Sequence, residues 1–282
     1  MVDAAHFRTY LRALEDKLAT GDATERSHYS TLERLFRQLK DDVVIINEPR
    51  RIECGAPDFI ISRRHTPIGY IEVKDVGANL DPVESSDQMD RYLDSLNNLI
   101  LTNYLEYRWF VQGEHRETAT LGTLTRDGSI RKRKRGIQEV SDLLRGFFAH
   151  QVPTIGRPEE LAERMAALAR TVRNLIEETF EQEGGQGSLH GQLAVFRKML
   201  IPDITPAQFA DMYAQTITYG LFAARVHFSD GTEFRRQDAW TNLPRTNPFL
   251  RRFFNEVAGP DMDSRIAWAV DDLANLLAHA DM

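Results

Sequence analysis

Gly55-Ala56-Pro57-Asp58-Phe59-Ile60-Ile61, followed after a polar break by Gly69-Tyr70-Ile71-Glu72-Val73-Lys74, is the stretch on which the fold of this chain turns. Both pieces end in short apolar, β-branched runs, and the segment between them, Ser62-Arg63-Arg64-His65-Thr66-Pro67, is a polar turn, which predicts two strands. Side chains alternate along a strand, so Glu72 and Lys74 project together while Val73 points into the core. If the two strands form a hairpin, Asp58 lies alongside on the same edge. Two carboxylates and one ammonium then meet at the end of a buried sheet. Such crowding raises carboxylate pKa values, and a hard divalent cation such as Mg²⁺, which prefers oxygen ligands, resolves the conflict. A bound ion also neutralises phosphodiester charge and acidifies its water, and a neighbouring Lys74 can stabilise developing charge. Taken singly, a Pro-Asp pair is a common turn element and an E-x-K triplet a common exposed strand. Together they favour metal-assisted phosphodiester hydrolysis.

Outward from that stretch, the N-terminal half alternates element types. Phe7, Tyr10, Leu11, Leu14 and Leu18 predict one helix, ended at Gly21, and Tyr29, Leu32, Phe36 and Leu39 a second, with Thr24, Ser27 and Ser30 competing for its N-cap. Val43-Val44-Ile45-Ile46 reads as a strand, Met89, Tyr92, Leu93 and Leu96 as a helix, and residues 99–101, 107–111 and 118–124 as further strands. Beyond about residue 136 strand signals stop. Helices are predicted around residues 137–147, 161–180 (ended by Gly184-Gly185-Gln186-Gly187), 205–221 with a Thr205-Pro206 start, 248–257 and 264–279. The expected architecture is an α/β N-terminal domain over residues 1–150, a mixed central sheet flanked by helices, and an all-α domain over residues 151–282, joined at Gln151-Val152-Pro153.

The chain has 282 residues, with 35 Lys+Arg against 42 Asp+Glu and a net charge of −7, which excludes a histone-like packer but not an enzyme with one basic surface. Its single cysteine, Cys54, permits neither an intrachain disulfide nor a cysteine-based zinc site. The acidic start MVDAAHFRTYLRALEDK is unlike a secretory signal, and no apolar run approaches the roughly 18 residues of a membrane span, so a cytoplasmic protein without membrane contact is expected.

The arrangement Pro57-Asp58 … Glu72-Val73-Lys74 resembles the PD-(D/E)xK nuclease motif. The resemblance implies a restriction-endonuclease-like fold, metal-binding acids at Asp58 and Glu72, and a catalytic Lys74. Thr24-Glu25-Arg26-Ser27-His28-Tyr29 resembles the helix preceding that core and implies that Glu25 joins the metal shell. Gln88-Met89-Asp90-Arg91-Tyr92 resembles the Q-x-x-x-Y element of Mrr-like nucleases and places Gln88 beside the active site. This likeness covers about residues 20–125. With Leu99-Ile100-Leu101-Thr102-Asn103 and the segment 209–225, the chain is also similar to the N-terminal part of Type IIG, IIL and ISP single-chain restriction–modification enzymes, in which a nuclease is followed by a helical coupler. There is no N-P-P-Y or D-P-P-Y motif and no glycine-rich cofactor loop; Asn247-Pro248-Phe249 lacks the second proline. S-adenosylmethionine would therefore belong to a methyltransferase part that this sequence lacks, as would the target-recognition domain. The chain is expected to be a nuclease-plus-coupler portion, either shortened or a separate subunit.

The implied function is a Mg²⁺-dependent endonuclease acting on double-stranded DNA in restriction and phage defence, with Mn²⁺ as a substitute metal and a transient dimer on DNA for double-strand cleavage. The competing readings are an inactive nuclease fold that binds DNA or a partner, and a repair or tRNA-processing nuclease with the same motif. Arg131-Lys132-Arg133-Lys134-Arg135, with Arg126 nearby, is either a DNA-backbone contact or a solvated loop. Arg50-Arg51 and Arg63-Arg64 could steer phosphate. For His28 and His65 a surface or packed role outweighs metal binding, and Tyr107 with Trp109 reads as core packing. The stripe Met212, Tyr213, Ile217 and Leu221 reads as helix packing.

Overall fold

The computed structural model describes residues 4–20, 25–47, 57–63, 66–150, 155–185, 187–199, 201–228, 234–243, 254, 258–259 and 262–282. Contacts divide the chain into two units, residues 1–49 with 57–152 and residues 50–56 with 153–282. The predicted joint at 151–153, the turn residues Arg64-His65, Arg50-Arg51 and most of the predicted helix 248–257 lie outside the described residues. No helix among the described residues is long and apolar enough to cross a membrane.

The first unit is a mixed sheet flanked by helices. Among the described residues, six strands lie in sequence order: β1 (Val44–Asn47), β2 (Phe59–Arg63), β3 (Thr66–Val73), β4 (Asn98–Thr102), β5 (Glu106–Val111) and β6 (Glu114–Thr120). All neighbours are antiparallel except β3 and β4, which pair in parallel with Ile71 opposite Ile100. A parallel pair needs a crossover connection, and here the short helix α3 (Asp81–Glu84) and α4 (Asp87–Ser95) supply it. Arg108 on β5 donates to Asp81, Glu84 and Glu106 at 2.7, 2.6 and 2.7 Å, which holds that connection against the sheet.

One sheet face carries Phe59, Ile61, Ile71, Val73 and Ile100, packed with Phe7, Leu11 and Leu14 of α1 (Ala4–Leu18), Leu32 and Phe36 of α2 (Tyr29–Leu39), and Leu143, Leu144 and Phe147 of α5 (Gly136–Ala149). By strand alternation, Ile60, Tyr70 and Glu72 turn to the opposite face. Gly69 fits this packing: a Cβ there would lie 2.4 Å from Phe147 Cζ, so the closeness of α5 to β3 needs the missing side chain.

Several boundaries differ from expectation for physical reasons. The strand predicted over 118–124 is two strands, β6 and β7 (Gly122–Leu124), separated at Leu121, whose N–H donates to the Leu105 carbonyl at 2.7 Å. β6 begins early because Gln112 and Gly113, at φ 54° and 78°, make the left-handed two-residue turn that suits a tight hairpin. β7 pairs with β8 (Ile130–Lys132) in a separate two-stranded ribbon, so part of the basic run is strand and not loop. Thr24 lies outside the described residues, and a 3-10 turn over Glu25–His28 leads into α2. His28, at the N-cap position, makes no side-chain cap bond; Ser27 and Ser30 instead accept from Lys17 Nζ through the backbone carbonyl and the hydroxyl.

The second unit is helical: α6 (Pro158–Glu183), α7 (Ser188–Met199), α8 (Pro206–Val226), the short α9 (Ala239–Asn242) and α10 (Ser264–Ala278). Thr205 caps α8 in a full capping box with Gln208, as the Thr-Pro start anticipates, and Gly184 ends α6 at φ 55°. Tyr213, Ile217 and Leu221 are buried. An ion cluster ties the end of α6 to the start of α10: Arg265 donates to Glu183 Oε1 at 2.6 Å and to both oxygens of Asp263. Burial pushes the Glu183 and Asp263 carboxyls up, but hydrogen bonds from His190 and Arg265 to Glu183, and from Arg265 to Asp263, outweigh it and hold both below the usual range.

Gly69→Ala should lower the denaturant midpoint by an amount equivalent to about 1–3 kcal/mol through overpacking against Phe147, with unchanged secondary structure by circular dichroism. For the ion cluster, folded-state carboxyl pKa values below the unfolded ones give stability that is present above about pH 4 and lost as pH falls through the depressed values. Arg265→Met should therefore lower the melting temperature at pH 7 more than at pH 3, and equal losses at both would refute the linkage.

Candidate active site

The ladder between β2 and β3 closes with Phe59 opposite Ile71, and the site forms where it stops. Successive N–H groups on a strand point to opposite edges. Lys74 N–H goes to the Thr102 carbonyl at 2.8 Å, towards β4. Val73 N–H points the other way, towards β2, and donates to Asp58 Oδ2 at 2.7 Å. The Asp58 carboxylate thus takes the place of a strand carbonyl. Its other oxygen accepts a short hydrogen bond from the Tyr29 hydroxyl, whose ring lies 5.0 Å from that of Phe59. Both carboxylate oxygens are fixed by groups from two different elements.

Glu72 is buried at 3% exposure, and its Oε1 accepts from Lys74 Nζ at 2.5 Å. The Lys74 side chain keeps 25% of its surface, so the ammonium stands between a buried carboxylate and solvent. Burial drives the Asp58 carboxyl above its ordinary range, against the hydrogen bonds from Tyr29 and Val73 and the charges of Lys74 and Arg26. The Tyr92 hydroxyl, buried on α4, is pushed well above the ordinary phenol range by burial and then by the negative charges of Glu72 and Asp58. Asp58, Glu72, Lys74 and Tyr92 therefore share one electrostatic neighbourhood.

Gln88 reaches this group through an intermediary. Its Nε2 donates to the Tyr92 hydroxyl at 2.9 Å, the two residues lying four apart on one face of α4. Glu25 opens the 3-10 turn before α2, but its side chain lies outside the described residues. Arg131, Lys132, Arg133, Lys134 and Arg135 are all exposed, on β8 and in the turn entering α5. Arg63 has a structural role, donating to the Phe148 carbonyl at 2.9 Å and pairing with Asp42 at 3.1 Å. His28 is buried with its ring edge against Tyr104, and Tyr107 is buried in the core, so both are packing residues. Tyr29 is the participant that sequence reading missed, since its helical spacing assigns it to the core and hides its hydroxyl's partner 29 residues away.

Among the described residues no group of three or more His, Cys, Asp or Glu is arranged to hold a metal. Asp58 and Glu72 nevertheless offer only carboxylate oxygens, and Mg²⁺ is commonly held by one or two carboxylates with the remaining positions filled by water and phosphate oxygens. The donor chemistry fits a hard divalent cation with few protein ligands and does not fit zinc in a closed structural site.

In comparisons with known proteins, no family model matches the chain and no curated protein matches it in sequence. Among solved structures, a chain of the cryo-EM structure of a DrdV–DNA complex aligns with a TM-score of 0.41 and 17% identity. The alignment covers 96% of this chain and 26% of that one.

Proposed function

We propose that the first unit is a restriction-endonuclease-like domain that hydrolyses DNA phosphodiester bonds with Mg²⁺ at Asp58, Glu72 and Lys74. The observation that carries this reading is the bond from Val73 N–H to Asp58, because it pins the two halves of the motif, 15 residues apart, into one constellation. Asp58 and Glu72 would hold the ion; when bound, it would neutralise phosphate charge and acidify a coordinated water. Tyr29 and the Val73 amide hold the Asp58 carboxylate in one orientation, which removes the cost of ordering it during the reaction. Lys74, anchored on Glu72 but open to solvent, places positive charge where a phosphate arrives and stabilises charge that develops on it. Gln88 positions the Tyr92 hydroxyl beside the acids.

The assay is plasmid nicking in Mg²⁺, in Ca²⁺ and in chelator. Cleavage should require Mg²⁺, with Mn²⁺ as a substitute, and should fall by roughly 10²-fold or more in Asp58→Ala and Lys74→Ala. Activity that persists in chelator, or in Lys74→Ala, would overturn the assignment.

The same charges make a stability prediction. A buried carboxylate held for chemistry is not held for stability, and such sites trade one against the other. Glu72→Gln should abolish cleavage while leaving the melting temperature unchanged or higher. Lys74→Met, which removes the cation and leaves the buried acceptor, should instead cost about 1–3 kcal/mol. A fall in melting temperature for Lys74→Met and none for Glu72→Gln is the expected result.

A further inference from the structure

The basic run is built onto a rigid support beside the candidate site. Arg131 and Lys132 lie on β8, and Arg133, Lys134 and Arg135 lead into α5; with Arg126 in the β7–β8 turn, six exposed cations lie on the ribbon and in the turn that follows it. The acids nearby are Asp127, Glu139 and Glu15. Asp127 is tied up by Thr125 and Ser129 within the turn, Glu15 accepts from Ile130 N–H at 3.2 Å, and Glu139 lies 3.8 Å from Arg133. Among the described residues, Arg133 alone of the five consecutive cations makes an ion pair. Like charges so crowded repel one another, yet the ribbon is fixed. Leu121 and Ile130 are buried beneath it, Arg133 N–H donates to the Leu121 carbonyl at 2.8 Å, and Gly136 is packed so tightly that a Cβ would lie 2.4 Å from the Thr120 carbonyl oxygen.

Its placement relative to the site follows from one contact. Gly77, at φ 72°, has the Leu124 Cβ 2.9 Å from where its own Cβ would be. Gly77 is three residues past Lys74, a span of at most about 11 Å. The ribbon therefore rises next to the exit of the strand that carries Glu72 and Lys74.

We infer that this ribbon is an arm that grips the sugar–phosphate backbone of duplex DNA alongside the candidate site, without reading its bases. Duplex DNA presents one negative charge per about 1.7 Å of axis, a density that a run of consecutive cations can match. Single-strand binders add aromatic platforms on which bases stack, and residues 122–135 contain no aromatic residue. The inference deepens the nuclease reading and rests on it for the relevance of DNA, but it concerns binding and not cleavage.

The test is fluorescence anisotropy of the full chain with a labelled duplex in chelator, across a salt series. Wild-type affinity should fall steeply with salt. Arg131→Gln/Lys132→Gln/Lys134→Gln, checked for folding by its melting temperature, should bind at least about tenfold more weakly near 0.1 M salt. Its log–log salt slope should be smaller in magnitude by about 2.7, from roughly 0.9 per lost phosphate contact. The charge-preserving Arg131→Lys/Lys132→Arg/Lys134→Arg should stay near wild type. Unchanged affinity and slope in the Gln variant, no duplex binding by wild type, or tighter binding of single strands, duplex RNA or polyglutamate would overturn the arm. Binding that follows this pattern without cleavage in Mg²⁺ would refute the nuclease reading alone.

Discussion

The candidate site depends on a hydrogen bond that a β-ladder would ordinarily make with backbone and here makes with a side chain. Beyond Phe59 and Ile71 the strands β2 and β3 no longer pair, and the Val73 amide would be left without an acceptor in a nearly dry place. A buried N–H without a partner costs about 1–3 kcal/mol. Asp58 Oδ2 removes that cost at 2.7 Å. The same bond that satisfies the backbone also fixes the carboxylate at the sheet's end. A shorter side chain could not reach, and an uncharged one would not bring a negative oxygen to the spot where Glu72 and Lys74 emerge.

From this constraint follows the odd polarity of the surroundings. Glu72 is nearly inaccessible, Asp58 is partly buried, and the phenols of Tyr29 and Tyr92 close around them. A phenol suits this place because its ring joins the core while its O–H serves the acid. Tyr29 does so from α2, packed on Phe59, while the Tyr92 hydroxyl on α4 accepts from Gln88 and lies near enough to Glu72 and Asp58 to feel their charge. Two helices that approach the sheet from different connections thus carry the polar lining on otherwise apolar faces. The Lys74 side chain keeps 25% of its surface, against 4% for that of Glu72.

What could be read from the sequence follows the range of the forces involved. Asp58, Glu72 and Lys74 were legible because strand alternation and a short hairpin are local rules, and the strands 59–61 and 70–73 were legible as β-branched and aromatic runs. The mixed sheet with flanking helices and the helical C-terminal region were legible from periodicity in the same way. Tyr29 was not, since its ring satisfies the helical pattern of α2 and nothing local marks the hydroxyl's distant partner. The ribbon was hidden too: Ile130-Arg131-Lys132 has a single apolar residue, and its strand character comes from pairing with residues 122–124. The helix α7 escaped because Gly191 weakens its propensity and its burial at Leu189, Leu193 and Phe196 arises from neighbours remote in sequence. The likeness to a motif put Gln88 beside the acids; in the structure its side chain donates to the Tyr92 hydroxyl, a link that no local rule of sequence contains.

A chain of net charge −7 would repel a polyanion over its whole surface. That repulsion is felt weakly, since at physiological salt charges beyond about 8 Å are largely screened, and what a phosphate meets is decided by its nearest neighbours. Around the candidate site those neighbours divide by function. The acids are withdrawn at the end of the sheet, Glu72 buried and Asp58 partly so. The cations of β8 stand outward on a support that fixes their spacing. An acidic total and a local cluster of cations are therefore compatible: the first is spread over the surface, and the second is five consecutive residues concentrated in one exposed stretch.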